Sequence, residues 1–129
     1  TTPTVQEMSD EFADAVFDAI ESGDVDAIAA MWHDDVEVWH NTDDVTQTKA
    51  ENLAVMRWVI ENTASIEYRD IVRDPTDDGF VQRHVLHLGF DDGRTADLPA
   101  AIFVGLRDGK VVRIDEYLDS AHVTAAFRN

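Results

Sequence analysis

Cysteine is absent from the 129 residues, so disulfides, thiolate metal sites and cysteine nucleophiles are ruled out. Basic residues are scarce. Ten stand against 27 acidic ones, for a formal charge of −17, and lysine occurs only at Lys49 and Lys110. Such a surface repels polyanions, so neither nucleic acid nor a membrane is expected as a partner. The acidic residues are spread along the chain, which argues for solubility and against a disordered acidic tail. No apolar run reaches the 18 or so residues of a membrane span. The first residues, TTPTVQEMSD, lack the apolar core of a signal peptide, so a cytoplasmic location is the expectation. Gly-rich phosphate loops, a G-x-S-x-G elbow and an H-E-x-x-H pair are missing too, and no cofactor is expected. A metal would have to gather His40, His87 and Glu116, a weak set, and no metal is expected.

What remains is an ordinary globular composition, 44% hydrophobic and 29% charged, and a length that suits one domain over residues 1–129. Thr4 and Glu7 stand in the T-x-x-E relation of a capping box, and Phe12, Ala13, Val16, Phe17 and Ile20 follow as a helical stripe. Gly23 stops that helix. Asp24 caps a short second one, with Ile28, Met31 and Trp32 inward. "VEVWHN" (36–41) reads as the first strand, and Thr48 with Glu51 opens a helix through Leu53, Met56 and Ile60. From Ser65 the chain is β-rich: four strands separated by "DPTDDG", "DDG" and "RDG", then a short helix near "SAHVTAAF". Pro99 within the third of these demands a bulge or an edge. Helices first and an antiparallel meander afterwards predict an α+β class, a curved sheet folded as a cone over helices.

Two titratable residues sit on apolar strand faces. In the last strand Val112, Ile114, Glu116 and Leu118 alternate with Val111, Arg113, Asp115 and Tyr117, which leaves Glu116 as a lone carboxylate among apolar neighbours. Unpaired burial of such a charge costs several kcal/mol, so it is paired, protonated or beside a water-filled hollow. His40 shares the face of Val36 and Val38 in the same way, and taken alone it fits a structural role as well as a catalytic one. In "QRHVLH" plain alternation favours the Phe80–Gln82–His84 face as core; a sheet covered on both sides would instead free Arg83 and His87 to face a cavity. His33 and His122 read as surface residues, while Phe12, Phe17, Trp32 and Trp58 read as core.

The stretch "AIESGDVDAIAAMWHDDVEVWHN" with "DGKVVRIDEYLD" resembles the nuclear transport factor 2-like superfamily, over about residues 8 to 119. That resemblance implies a cone-shaped domain in a group of isomerases, hydrolases, cyclases, dehydratases and binders. In its ketosteroid isomerase branch the general base falls on His40, while the two oxyanion donors fall on the apolar Val16 and about Ile102. The limonene epoxide hydrolase branch puts its arginine on Arg83 and its water-activating carboxylate on Glu116. A second aspartate there is replaced by Val85, and its tyrosine and asparagine by Val38 and His40. SnoaL-like cyclases carry an acidic base on the last strand, similar to Glu116. Together these imply cofactor-independent acid–base catalysis by His40, Glu116 and Arg83. Val38, His87, Met31, Trp32, Leu98, Ile102, Ile114 and Leu118 would hold a small, mostly apolar molecule, and a non-catalytic binder of the same fold is the alternative. Trp39 and Tyr117 on the outer sheet face suggest a homodimer.

Overall fold

Helix α1 (Val5–Ser22) carries the apolar stripe that its spacing predicts: Ala13, Val16, Phe17 and Ile20 are buried, and the acidic residues between them face water. The computed structural model describes residues 5–128, with side chains from residue 10 onward; the Thr4–Glu7 capping box lies outside the described residues. Gly23 ends α1 with a φ of 70°, a left-handed conformation that side chains disfavour. Asp24 then caps α2 (Val25–Met31) by accepting the Ala27 N–H at 3.0 Å. The Thr48–Glu51 capping box is fully formed at the start of α3 (Lys49–Glu61), and Asp119 caps the final α4 (Ser120–Ala126).

Six strands form one sheet: β1 (Trp32–His40), β2 (Val45–Gln47), β3 (Ser65–Pro75), β4 (Gly79–Gly89), β5 (Thr95–Arg107) and β6 (Lys110–Leu118). The spatial order β2-β1-β6-β5-β4-β3 leaves β2 and β3 as open edges, so the sheet curves without closing. The architecture is α+β with a mostly antiparallel sheet, as expected. The short β2 is an extra strand, and β1 lies parallel to β6 while every other pair is antiparallel. Pro99 sits inside β5 rather than at a sheet edge, but β6 ends opposite Ala100, so at Pro99 only β4 flanks the strand.

Register slips give the sheet its curvature. Between Arg69 and Val72 β3 advances three residues while β4 advances two, and Asp70 takes a φ of 55° to absorb the extra one. Inward and outward then exchange: Tyr68 faces in before the bulge, and Arg73 turns inward after it. A second irregularity near Leu106 does the same to β6, so Val111 is the buried residue and Val112 the half-buried one, the reverse of plain alternation. Asp108 and Gly109, both at positive φ, make the tight β5–β6 turn.

The core lies between the concave face and helices α1, α2 and α3, with Ile28, Trp32, Val36 and Val111 at 2% exposure or less. Each such side chain contributes about 1.5–3 kcal/mol by leaving water. A smaller cluster of Leu88, Leu98 and Ala126 anchors α4 at one end. Trp58, expected in the core, is half exposed and packs at 5.1 Å on Phe127 instead. His122 is on the surface as expected, whereas His33 is largely covered between Asp35 and Asp108.

Candidate functional site

The parallel pairing of β1 with β6 brings His40 directly across from Glu116. In an in-register pair the side chains of opposed residues leave the sheet on the same side, a few ångströms apart. Here His40 Nε2 lies 2.9 Å from Glu116 Oε1, and both side chains keep only about a fifth of their surface, 21% and 23%. Asn41 secures the end of this pairing. Its N–H donates to the Glu116 carbonyl at 3.0 Å, and its side-chain oxygen accepts the Leu118 N–H at 3.0 Å. The hydrogen bond that His40 donates to Glu116 raises the His40 pKa above its ordinary value, against the opposing pull of burial.

The pair stands in the wall of a cavity of about 170 Å³. Helix α1 supplies Val16, Phe17 and Ile20; α3 supplies Asn52, Met56 and Ile60; the sheet supplies Val38, Ile102 and Ile114. For scale, an apolar cavity of about 150 Å³ accepts benzene, so a single-ring guest fits this one. Polar groups are few. Besides His40 and Glu116 they are Asn52, Tyr68 and His84. Asn52 is engaged: its oxygen accepts the Trp32 indole N–H at 2.9 Å, and its amide donates to Gln47 at 3.0 Å. Burial drives the Tyr68 phenol far above its ordinary pKa and holds the His84 pKa down.

Of the residues expected around a guest, Val38, Trp32, Ile102 and Ile114 line the cavity with His40 and Glu116. The others do not. Arg83 is exposed on the convex face, beside Asp70, Val85, Pro99 and Tyr117, with the full thickness of the sheet between it and Glu116. His87, on the same odd face of β4, is 2.7 Å from Asp97. The reason is the pleat: the concave face takes the even residues Phe80, Gln82, His84 and Leu86, as plain alternation indicated. Leu98 belongs to the α4 cluster, Met31 packs behind the wall, and Leu118 lies beyond the cavity. His84, Asn52 and Tyr68 are wall residues that the sequence reading passed over. The strand alternation marks His84, whereas Asn52 carries no comparable signal. Among the described residues no group of three or more His, Asp or Glu side chains could hold a metal ion.

A family model for the SnoaL-like domain matches residues 13–114, most of the chain. The chain belongs to the SnoaL-like domain family. Its fold is that of the nuclear transport factor 2-like superfamily, as solved structures show. A proposed polyketide cyclase from Xanthomonas campestris pv. campestris is 23% identical, with a TM-score of 0.81 over 95% of this chain and 98% of that one. TerC, co-crystallised with polyporic acid, is 19% identical, with a TM-score of 0.76 over 95% and 99%. A hypothetical protein from Catenulispora acidiphila DSM 44928 with a ketosteroid isomerase-like fold, in complex with trimethylamine, is 14% identical, with a TM-score of 0.77 over 98% and 93%. At these identities the likeness carries the fold of this SnoaL-like domain and leaves its chemistry to its own residues. A search of curated proteins finds no match.

Proposed function

We propose that this SnoaL-like domain catalyses a cofactor-independent acid–base reaction, an isomerisation, cyclisation or hydrolysis, on a small and mostly apolar molecule. The observation that carries the reading is the His40–Glu116 pair, 2.9 Å apart in the wall of an otherwise apolar cavity. A salt bridge serving stability alone gains little from a hollow beside it, because desolvation offsets most of its Coulomb energy. The hydrogen bond to Glu116 raises the imidazole pKa, so the pair favours a proton on His40 more than a free imidazole would. Glu116 Oε2, the oxygen that His40 leaves free, is the base toward the guest or a water. His40 Nε2–H steadies that carboxylate through Oε1, and Glu116 Oε2 returns the proton. Arg83 has no part in this scheme, since it stands on the convex face. Family members described as polyketide cyclases, and the polyporic acid held by TerC, favour cyclic, oxygen-bearing guests for this chain as well.

The same cavity without turnover would make a ligand-binding protein, and one experiment separates the two. A panel of small lactones, epoxides and enones is screened for turnover, then repeated with Glu116→Gln and His40→Ala. Loss of a catalytic base or acid is expected to slow the reaction by about 10²- to 10⁴-fold while affinity holds. Binding with no turnover by the unmodified protein identifies a binder. An active substrate that survives both substitutions unchanged refutes the assignment.

The outer face fits a second copy of the chain. Trp39, Phe103 and Tyr117 form a continuous edge-to-face stack there, with ring centroids 5.2 Å and 6.0 Å apart, and Phe103 and Tyr117 are about half exposed. On a chain of charge −17 this aromatic patch, where Asp115 between the rings is paired with Arg113, is where two copies meet with least repulsion.

A further inference from the structure

His84 is a buried titratable group that the acid–base scheme leaves unused. Its ring lines the cavity and is held at the end of a polar chain that starts at the protein surface. Asp14 on α1 accepts from Arg73 Nη1 at 3.1 Å, and Asp10 stands near the same nitrogen at 3.5 Å. Arg73 Nε donates to Gln82 Oε1 at 2.8 Å, and Gln82 Nε2 lies 2.9 Å from His84 Nδ1. The guanidinium itself packs against the rings of Phe17 and Phe80, with its centre 5.8 Å and 5.5 Å from theirs. Gln82 is fully buried and His84 is 4% exposed, so water does not compete within the chain.

The direction of every bond in this chain follows from its first member. A guanidinium only donates, so the Gln82 atom facing it is the amide oxygen. The other end of Gln82 is then an NH₂ group, which also only donates. His84 Nδ1 must accept that bond, which requires it to carry no proton. A neutral imidazole keeps its single hydrogen on the other nitrogen, so Nε2 is an N–H donor. Among the described residues Nε2 has no hydrogen-bond partner, and it is the nitrogen left for a guest.

We propose that His84 is a locked, neutral hydrogen-bond donor for the carbonyl oxygen of the substrate, with Gln82 and Arg73 as the positioning residues that fix its tautomer. The proposal rests on the acid–base reading of the same cavity and narrows the substrate to a ketone or enone. The register supplies the spacing. His84 pairs with Ala100, and Glu116 pairs with Ile102, so the two face the hollow from strands on either side of β5. Two strand spacings and a two-residue offset put their Cα atoms about 12 Å apart, room for one ring between the side chains. On the β5 face between them stand Ala100, beside His84, and Ile102, beside Glu116 and part of the cavity floor. The charge of Glu116 acts on both His84 and Tyr68 across the hollow.

In the reaction, Glu116 takes a proton from the carbon beside the carbonyl. The C–H electron pair moves into a new C=C bond, and the C=O π pair moves onto oxygen. The enolate oxygen keeps the His84 N–H···O bond, strengthened by its new charge, until the proton returns to carbon. A neutral imidazole suits this task because it donates without first giving up a proton.

Two measurements test this, and the first needs no ligand. Nitrogen NMR of the free protein is expected to show His84 as the Nε2–H tautomer and its protonation displaced to lower pH than that of an ordinary histidine. Gln82→Glu, of nearly equal size, replaces the donor with a carboxylate and is expected to move the proton onto Nδ1. The second uses acetophenone labelled with ¹³C at the carbonyl and α-methylstyrene, of similar shape but without the oxygen. Wild-type protein is expected to prefer the ketone by about tenfold and to lower its bound carbonyl stretch; His84→Leu is expected to abolish both effects. Should His84→Leu fail to fold, the wild-type carbonyl shift and the response of Nε2 to added ketone decide. Protonation of Nδ1 in the wild type, or no preference for the ketone, overturns the proposal. A ketone preference that depends on His84 in a protein whose turnover ignores Glu116→Gln would leave the donor standing and sink the acid–base reading instead.

Discussion

Glu116→Gln is the most informative single change, because it keeps size and one accepting oxygen for His40 while removing the charge and the second acceptor. In the native pair His40 Nε2 and Glu116 Oε1 lie 2.9 Å apart, four-fifths shielded from water. A hydrogen bond to a charged partner contributes about 1.5–3 kcal/mol, and a neutral one about 0.5–1.5 kcal/mol. The substitution is therefore expected to cost about 1–2 kcal/mol while His40 is protonated, or about 4–8 °C in melting temperature for a chain of this length. The pH dependence carries the sharper signature. Since the folded pKa of His40 is raised above the ordinary 6.5, its stabilisation is complete below that value and is lost as pH rises through the folded pKa. The gap between wild type and variant is then widest just below pH 6.5 and narrows on the alkaline side. Urea titrations at several pH values, with the His40 imidazole followed by NMR, read both quantities. An unchanged His40 titration in the variant, or a gap that widens with rising pH, refutes the reasoning.

The burial of His84 carries the opposite sign. Its folded pKa is lowered, so the unfolded chain takes up the proton first, and stability falls as pH drops below 6.5 toward the folded pKa; equilibrium unfolding of His84→Phe should show a flatter acid limb. Gly79→Ala would set a Cβ atom 1.9 Å from the Val104 carbonyl oxygen, and thermal melts should report a loss of several kcal/mol, or no folded protein. Thr48→Ala removes the α3 capping box and is expected to cost about 1 kcal/mol in urea unfolding. Phe103→Asp on the convex face should leave the fold intact and, by sedimentation, convert a dimer into monomers; a wild-type protein that already sediments as a monomer refutes the proposed contact.

Much of the fold was legible because it rests on local chemistry. The α1 stripe, the stop at Gly23, the cap at Asp24 and the box at Thr48–Glu51 are interactions among residues three or four apart, and each formed as read. His40 and Glu116 were legible for a related reason: a polar group in an apolar alternation stands out, whatever its partner. Arg83 and His87 were misplaced when the alternation of β4 was set aside in favour of a sheet covered on both faces. The pleat kept its ordinary meaning, and Gln82 and His84 took the interior.

Sequence alone thus determined most helices and strands, the short β2 and the early start of β1 at Trp32 excepted, and which face of most strands is apolar, since both depend on periodicity within one segment. Only the tertiary structure decided that β1 runs parallel to β6, which alone puts His40 opposite Glu116. It also decided that a bulge at Asp70 turns Arg73 inward to meet Gln82. Strand pairing and bulges depend on contacts between residues tens of positions apart, and one extra residue reverses every side chain beyond it.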